Sequence, residues 1–125
     1  MAQKSIIPAE TLPSPDEINP QNGSDYARRG WLYFSQQKLQ QAQLDLEKAV
    51  ELDNDLDSLY ALGLVYRSQG LDEKALECFD QVLARLSEIP DQQRATMVRR
   101  LTLGQVNRIK MGDWNLEKEL WKRIR

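Results

Sequence analysis

From Asp25 to Ile89 the apolar residues return at intervals of three and four. Leu39, Ala42, Leu46, Ala49 and Val50 form one set. Leu59, Leu62, Gly63, Val65 and Tyr66 form a second, and Ala75, Leu76, Phe79, Val82, Leu83 and Leu86 a third. This is the period of an amphipathic helix and not the alternation of a strand. The breaks between sets are short. Gln37–Lys38 joins the first two helices, and Asp53-Asn54-Asp55 ends the second. Gly70 suits the position after a helix, with Asp72 as the next N-cap. Ile89–Pro90 ends the fourth helix, Asp91 caps the fifth, and Gly112–Asp113 closes it. The pattern predicts six helices, at about 25–36, 39–52, 57–69, 72–88, 91–111 and 114–124. Before them, four of the five prolines fall in the first twenty residues. Proline fixes φ and lacks an N–H, so residues 1–23 are expected to be an extended tail. Residues 24–125 form the helical domain.

The helical part repeats. Gly30 to Gly63, Ala42 to Ala75 and Ala49 to Val82 are each 33 residues, and on that period Tyr33 falls on Tyr66 and Leu46 on Phe79. Three coincidences at one offset mark a repeat architecture. The second unit carries Leu59, Leu62-Gly63, Tyr66, Gly70, Ala75 and Phe79. The first carries Tyr26, Gly30, Tyr33, Ala42, Leu46 and Ala49. These two units resemble the tetratricopeptide repeat. The first departs from it at Arg29, where an apolar residue is expected, and its ELDNDLDS junction is one residue shorter than usual. A third, degraded unit is marked by Leu101, Gly104, Met111-Gly112-Asp113-Trp114 and Leu120-Trp121. The fold expected is all-α: a stack of about three tetratricopeptide-like hairpins, the third degraded.

The resemblance implies a protein-interaction module whose first helices line a concave face. On that face it places Trp31 and Phe34 from the first unit and Tyr60, Leu64 and Arg67 from the second. Arg99, Val106 and Ile109 come from the fifth helix. For Trp31 and Phe34, packing between hairpins is an equal alternative; Tyr33 and Tyr66 are expected in the core. The chaperone-binding branch of the family grips a peptide carboxylate with a Lys/Asn/Arg clamp. Here Ala27, Trp31 and Ala61 stand at the matching positions, so that clamp is missing. The expected partner is another protein, offering an amphipathic helix or an apolar peptide with some acidic residues.

Charge adds a second feature. The net charge of −2 divides into −8 over residues 1–93 and +6 over residues 94–125. Solvated helix faces account for such runs; a basic docking surface is the sharper reading. Binding of nucleic acid or an anionic surface by residues 94–125, with Trp114 or Trp121 as a stacking ring, is therefore an alternative. The acidic remainder of the chain disfavours a large nucleic-acid footprint. Leu120, Trp121 and Ile124 suggest a further alternative, a structural homo-oligomer through the last hairpin.

Composition excludes much chemistry. With no histidine there is no His triad, His base or His metal site. The single cysteine, Cys78, excludes an internal disulfide and a Cys-rich metal site. Asp53, Asp55 and Asp57 are spaced like the start of a calcium loop but lack its glycine and its late glutamate, so they read as turn and cap residues. No phosphate-binding loop or nucleophile motif occurs. No enzymatic activity, metal, cofactor or small-molecule substrate is expected. The apolar runs are too short to span a membrane, and the first residues lack a secretory pattern, so the expected compartment is the cytoplasm.

Overall fold

The structure is a computed structural model that describes residues 14–112. The described residues contain five α-helices and no strand. They are α1 (Gly23–Ser35), α2 (Leu39–Asp53), α3 (Leu56–Ser68), α4 (Asp72–Ala84) and α5 (Gln92–Met111), with short 3-10 turns at Pro15–Glu17 and Leu86–Glu88. The chain divides into two compact units, Met1–Asp53 and Asn54–Arg125. The first holds the α1–α2 hairpin. The second holds the α3–α4 hairpin and α5, which packs on α4.

The two hairpins repeat in backbone detail at the 33-residue offset. Asn22 caps α1 by accepting the Asp25 N–H at 2.9 Å, and Asp55 caps α3 by accepting the Ser58 N–H at 2.8 Å. The turn after α1 sends the Lys38 N–H to the Tyr33 carbonyl at 2.9 Å; after α3, Leu71 bonds Tyr66 at 2.9 Å. Both turns need a left-handed residue. The second uses Gly70 at φ +80, and the first forces Gln37 to φ +63. The small residues at the crossings also match. A Cβ on Gly30 would lie 2.8 Å from Leu46 Cγ, and a Cβ on Gly63 would lie 2.5 Å from the Phe79 ring. Leu46 and Phe79 are completely buried, as are Ala42, Ala49, Ala75 and Val82.

Three local expectations are corrected. Helix α4 ends at Ala84 and not near 88, because Arg85 leaves helical geometry and clasps Glu88 across a 3-10 turn, Nη2 to Oε1 at 2.9 Å. Asp72 is the first residue of α4 and not its cap; Leu71 stands at the cap without a side-chain bond. The expected extended tail has an ordered end, since Ser14–Ile18 forms a strap on α1. There Pro15 is fully buried, the Tyr33 hydroxyl donates to Asp16 at 2.8 Å, and Arg29 donates to the Ile18 carbonyl at 3.3 Å. Asp91 does cap α5, accepting from Gln93 and Arg94. The helix expected at 114–124, and with it the second half of the third hairpin, lies outside the described residues.

Arg29, out of pattern in the sequence, is explained by α2. Its Nε and Nη2 donate to the two oxygens of buried Asp45 at 2.7 and 2.8 Å. At the 33-residue offset these positions are Leu62 and Cys78, both buried. The first hairpin thus fills with a bidentate ion pair the place that the second fills with two apolar side chains.

Three outcomes follow from this packing. Gly63→Ala is expected to lower unfolding stability by about 1–3 kcal/mol through overpacking, measured by urea denaturation. Asp45→Ala leaves the Arg29 guanidinium unpaired. Because its side chain is 24% exposed and regains some water, the expected loss is about 2–3 kcal/mol, below that of a fully sealed pair. Arg29→Leu with Asp45→Cys installs the second hairpin's pair and is expected to recover most of it. The third outcome concerns pH. The hydrogen bond to Asp16, with burial, raises the Tyr33 phenol above its usual 10.0. The folded state therefore holds the phenol proton more tightly, so this contribution is whole below the ordinary value and is lost as pH rises through the raised one. Stability is expected to fall as pH rises above about 10, less steeply in Tyr33→Phe.

Candidate functional site

Helices α1 and α3 each carry a stripe at spacings of four and three that the hairpin does not fully cover. On α1 it is Ala27, Trp31 and Phe34; on α3 it is Tyr60, Leu64 and Arg67. The two stripes coincide at the 33-residue offset, so each is the same face of its own hairpin. Trp31 is 41% exposed, and its ring meets the half-buried Phe34 edge-on with centroids 5.8 Å apart. Tyr33, two positions on, is buried against the strap. Neighbours on one helix thus separate into a core ring and an open ring, as the helical period requires.

In the second unit Tyr60 is half-buried. Its ring is tilted against Phe79 at 5.7 Å, and its hydroxyl accepts a long bond, 3.4 Å, from Gln105 of α5. The stripe is therefore anchored to the hairpin at one end and to α5 beside it. Leu64 is half-buried. Arg67 is also half-buried, and its Nε is enclosed without a hydrogen-bond partner. An enclosed donor of this kind favours an acceptor brought to it.

The α5 residues separate differently. Arg99 and Ile109 are half-buried, while Val106 is buried at 8% exposure, beside fully buried Thr102. The face of α5 chosen from the sequence is largely its packing face. Its outward side carries Met97, Arg100, Leu101, Arg108 and Met111, all exposed, around buried Gly104; Leu101 and Met111 were read from the sequence only as marks of a third repeat. The spacings of three, four and seven along this side were the available signal. Arg99 also lines a shallow concavity of about 360 Å³ with Leu86, Ile89, Gln92 and Thr96. A second concavity, about 250 Å³, holds Asp57, Arg85, Glu88 and Arg94. Its charges are matched. Arg94 Nη2 meets both Asp57 oxygens at 2.9 Å, and Arg85 holds the Glu88 carboxyl below its usual pKa by hydrogen bonding. Arg94 is thus already committed within the basic segment, and that segment's residues from 113 on lie outside the described ones.

No group of acidic and cysteine side chains that could hold a metal occurs among the described residues. No helix among them is long and apolar enough to cross a membrane.

Comparison with curated proteins and with solved structures returned no match. The family model for the tetratricopeptide repeat matches residues 26–56 and 56–85. These spans cover α1 from Tyr26 onward, α2, α3 and α4, with both glycine crossings. Repeats of this kind generally mediate protein–protein interaction. Residues 26–85 are two tandem tetratricopeptide repeats, helical hairpins that share one pattern of turns and crossings.

Proposed function

We propose that this protein is a binding module, a small adaptor, assembly factor or complex subunit that receives a polypeptide on the open stripes of α1 and α3. The observation that carries the reading is Trp31. It stays 41% exposed on a helix that buries Tyr33, in a chain that seals Phe79 completely. Tryptophan is among the residues that most often carry binding energy near the centre of a protein interface. The remaining contacts are Phe34 beside Trp31, Tyr60 and Leu64 on α3, and Ile109 on α5, with Val106 packed behind. Arg67 and Arg99 supply the cations. The matching ligand is an amphipathic helix or an apolar peptide with a few carboxylates, and no small-molecule substrate or catalytic step is involved.

The energies are adequate for moderate affinity. A buried aromatic side chain removes about 150–250 Å² from water, about 4–6 kcal/mol at ~25 cal/mol/Å². Association costs about 4–15 kcal/mol. Three rings acting together support roughly micromolar binding, and one alone does not.

The test is recovery of native partners by the tagged full chain, identified by mass spectrometry, followed by titration of the recovered partner. Trp31→Ala and Tyr60→Ala are each expected to weaken that complex about tenfold or more while far-UV circular dichroism stays helical. Undiminished affinity in both variants removes this face from the function.

A further inference from the structure

Two helix faces carry exposed apolar residues that the repeat does not demand. On α2, Leu44 is 61% exposed, and Leu52 lies on the same outward side. The second hairpin has Glu77 and Arg85 at the equivalent positions, so an ordinary polar residue serves the hairpin equally well. On α5, Met97 is 55% exposed, with Leu101 and Met111 on the same side. These α5 residues span about 21 Å at 1.5 Å per residue. Isolated surface apolar residues need no explanation, but aligned sets rimmed by charge mark contact surfaces.

The charges around the two faces are opposite. Helix α5 carries Arg94, Arg99, Arg100, Arg108 and Lys110 and no acidic residue, a net +5. Arg100 and Arg108 lie among its exposed apolar residues. On helix α2, Asp45 is buried against Arg29, and the outward side carries Glu47 and Glu51 beside Lys48, a net −1. Glu47 and Glu51 flank Leu44 at spacings of three and seven. The Lys48–Glu51 pair at 3.0 Å is a surface pair, easily exchanged for a better partner.

We propose that the occupant of the α5 outward face is the α2 outward face of a second copy of this chain. Leu44 and Leu52 of one copy would cover Met97 and Leu101 of the next, with Arg100 and Arg108 meeting Glu47 and Glu51. The two patches differ, so the contact is heterologous: each copy keeps one face of each kind for a further neighbour, and assembly proceeds head to tail. The methionines suit such a surface because their flexible thioethers adapt to a partner's shape. The contact does not use Trp31 or Tyr60 and stands apart from the binding function proposed above.

Sedimentation equilibrium of the full chain tests it. At about 50 mM salt the average mass is expected to rise with protein concentration, and the apparent association constant to fall at least about tenfold at about 500 mM. Arg100→Glu with Arg108→Glu, and separately Glu47→Arg with Glu51→Arg, should each abolish the rise while circular dichroism stays helical. Mixing these two variants should restore a complex between them. Gln81→Ala, on exposed α4 surface outside both faces, should leave the association unchanged. A monomer at every concentration and salt overturns the proposal, as does association that the α5 and α2 variants leave intact. A monomer that binds anionic phospholipid vesicles through Arg100 and Arg108 overturns it too and assigns the α5 face to a lipid surface.

Discussion

The contact between Gly63 and the Phe79 ring sets how closely α3 and α4 approach, and the packing of the second hairpin is built around it. Phe79 enters the hairpin because the facing residue has no side chain; a methyl group there would overlap the ring. Once the ring is in, its other edge supports Tyr60, and Tyr60 reaches Gln105 of α5. The half-buried stripe on α3 thus depends on a glycine one turn along the same helix. The first hairpin uses the same device with a smaller wedge, Leu46 against Gly30. There Trp31 has Phe34 as its ring neighbour on α1, and it stays more open.

Between the two hairpins the same geometry is satisfied by two chemistries. Leu62 and Cys78 fill their place by burial alone. Arg29 and Asp45 fill it by a bidentate pair, while Arg29 Nη1 donates to the Ile18 carbonyl. An ion pair held out of water contributes less net stability than apolar packing of similar volume, because desolvation offsets most of the attraction. What it adds is direction. The guanidinium can satisfy both Asp45 and the strap in only one arrangement, and it lies 5.9 Å from the Tyr33 ring whose hydroxyl holds Asp16. The strap, α1 and α2 are therefore fixed together by polar bonds, with Pro15 of the strap fully buried.

Features set by neighbouring residues were legible in the sequence. Asp91 as a cap, Gly70 as a left-handed turn and the glycine at each crossing follow from local chemistry and from one repeated offset. Features set by a distant partner were not. Arg29 looks like a flaw until Asp45, sixteen residues later, supplies its counterion; aligning Asp45 with Cys78 would have exposed the matched exchange. The end of α4 was hidden for a similar reason. Apolar spacing continues through Leu86, and only the Arg85–Glu88 clasp turns the chain early. The stripes of α1 and α3 followed from the repeat's own offset. On α5, where no second copy of the pattern exists to fix the phase, the chosen face included buried Val106 and omitted Met97 and Leu101.

That contrast bears on how the surface is used. A repeat fixes which positions must be small, which must be apolar and which turn must be left-handed, and it leaves the rest of each helix unconstrained. Residues at the constrained positions say what the fold needs. Residues that break the symmetry between hairpins, at positions where packing is indifferent, carry the remaining information. Trp31 against Leu64, Phe34 against Arg67, Leu44 against Glu77 and Leu52 against Arg85 are such breaks. None is needed to close a hairpin, since the other hairpin closes with a different residue. Each first-hairpin member of these pairs leaves an apolar side chain fully or partly in water, which costs solubility without adding to the core. Contact with another surface is the physical setting in which that arrangement becomes favourable, and the contacts proposed above draw on the unequal positions more than on the shared ones.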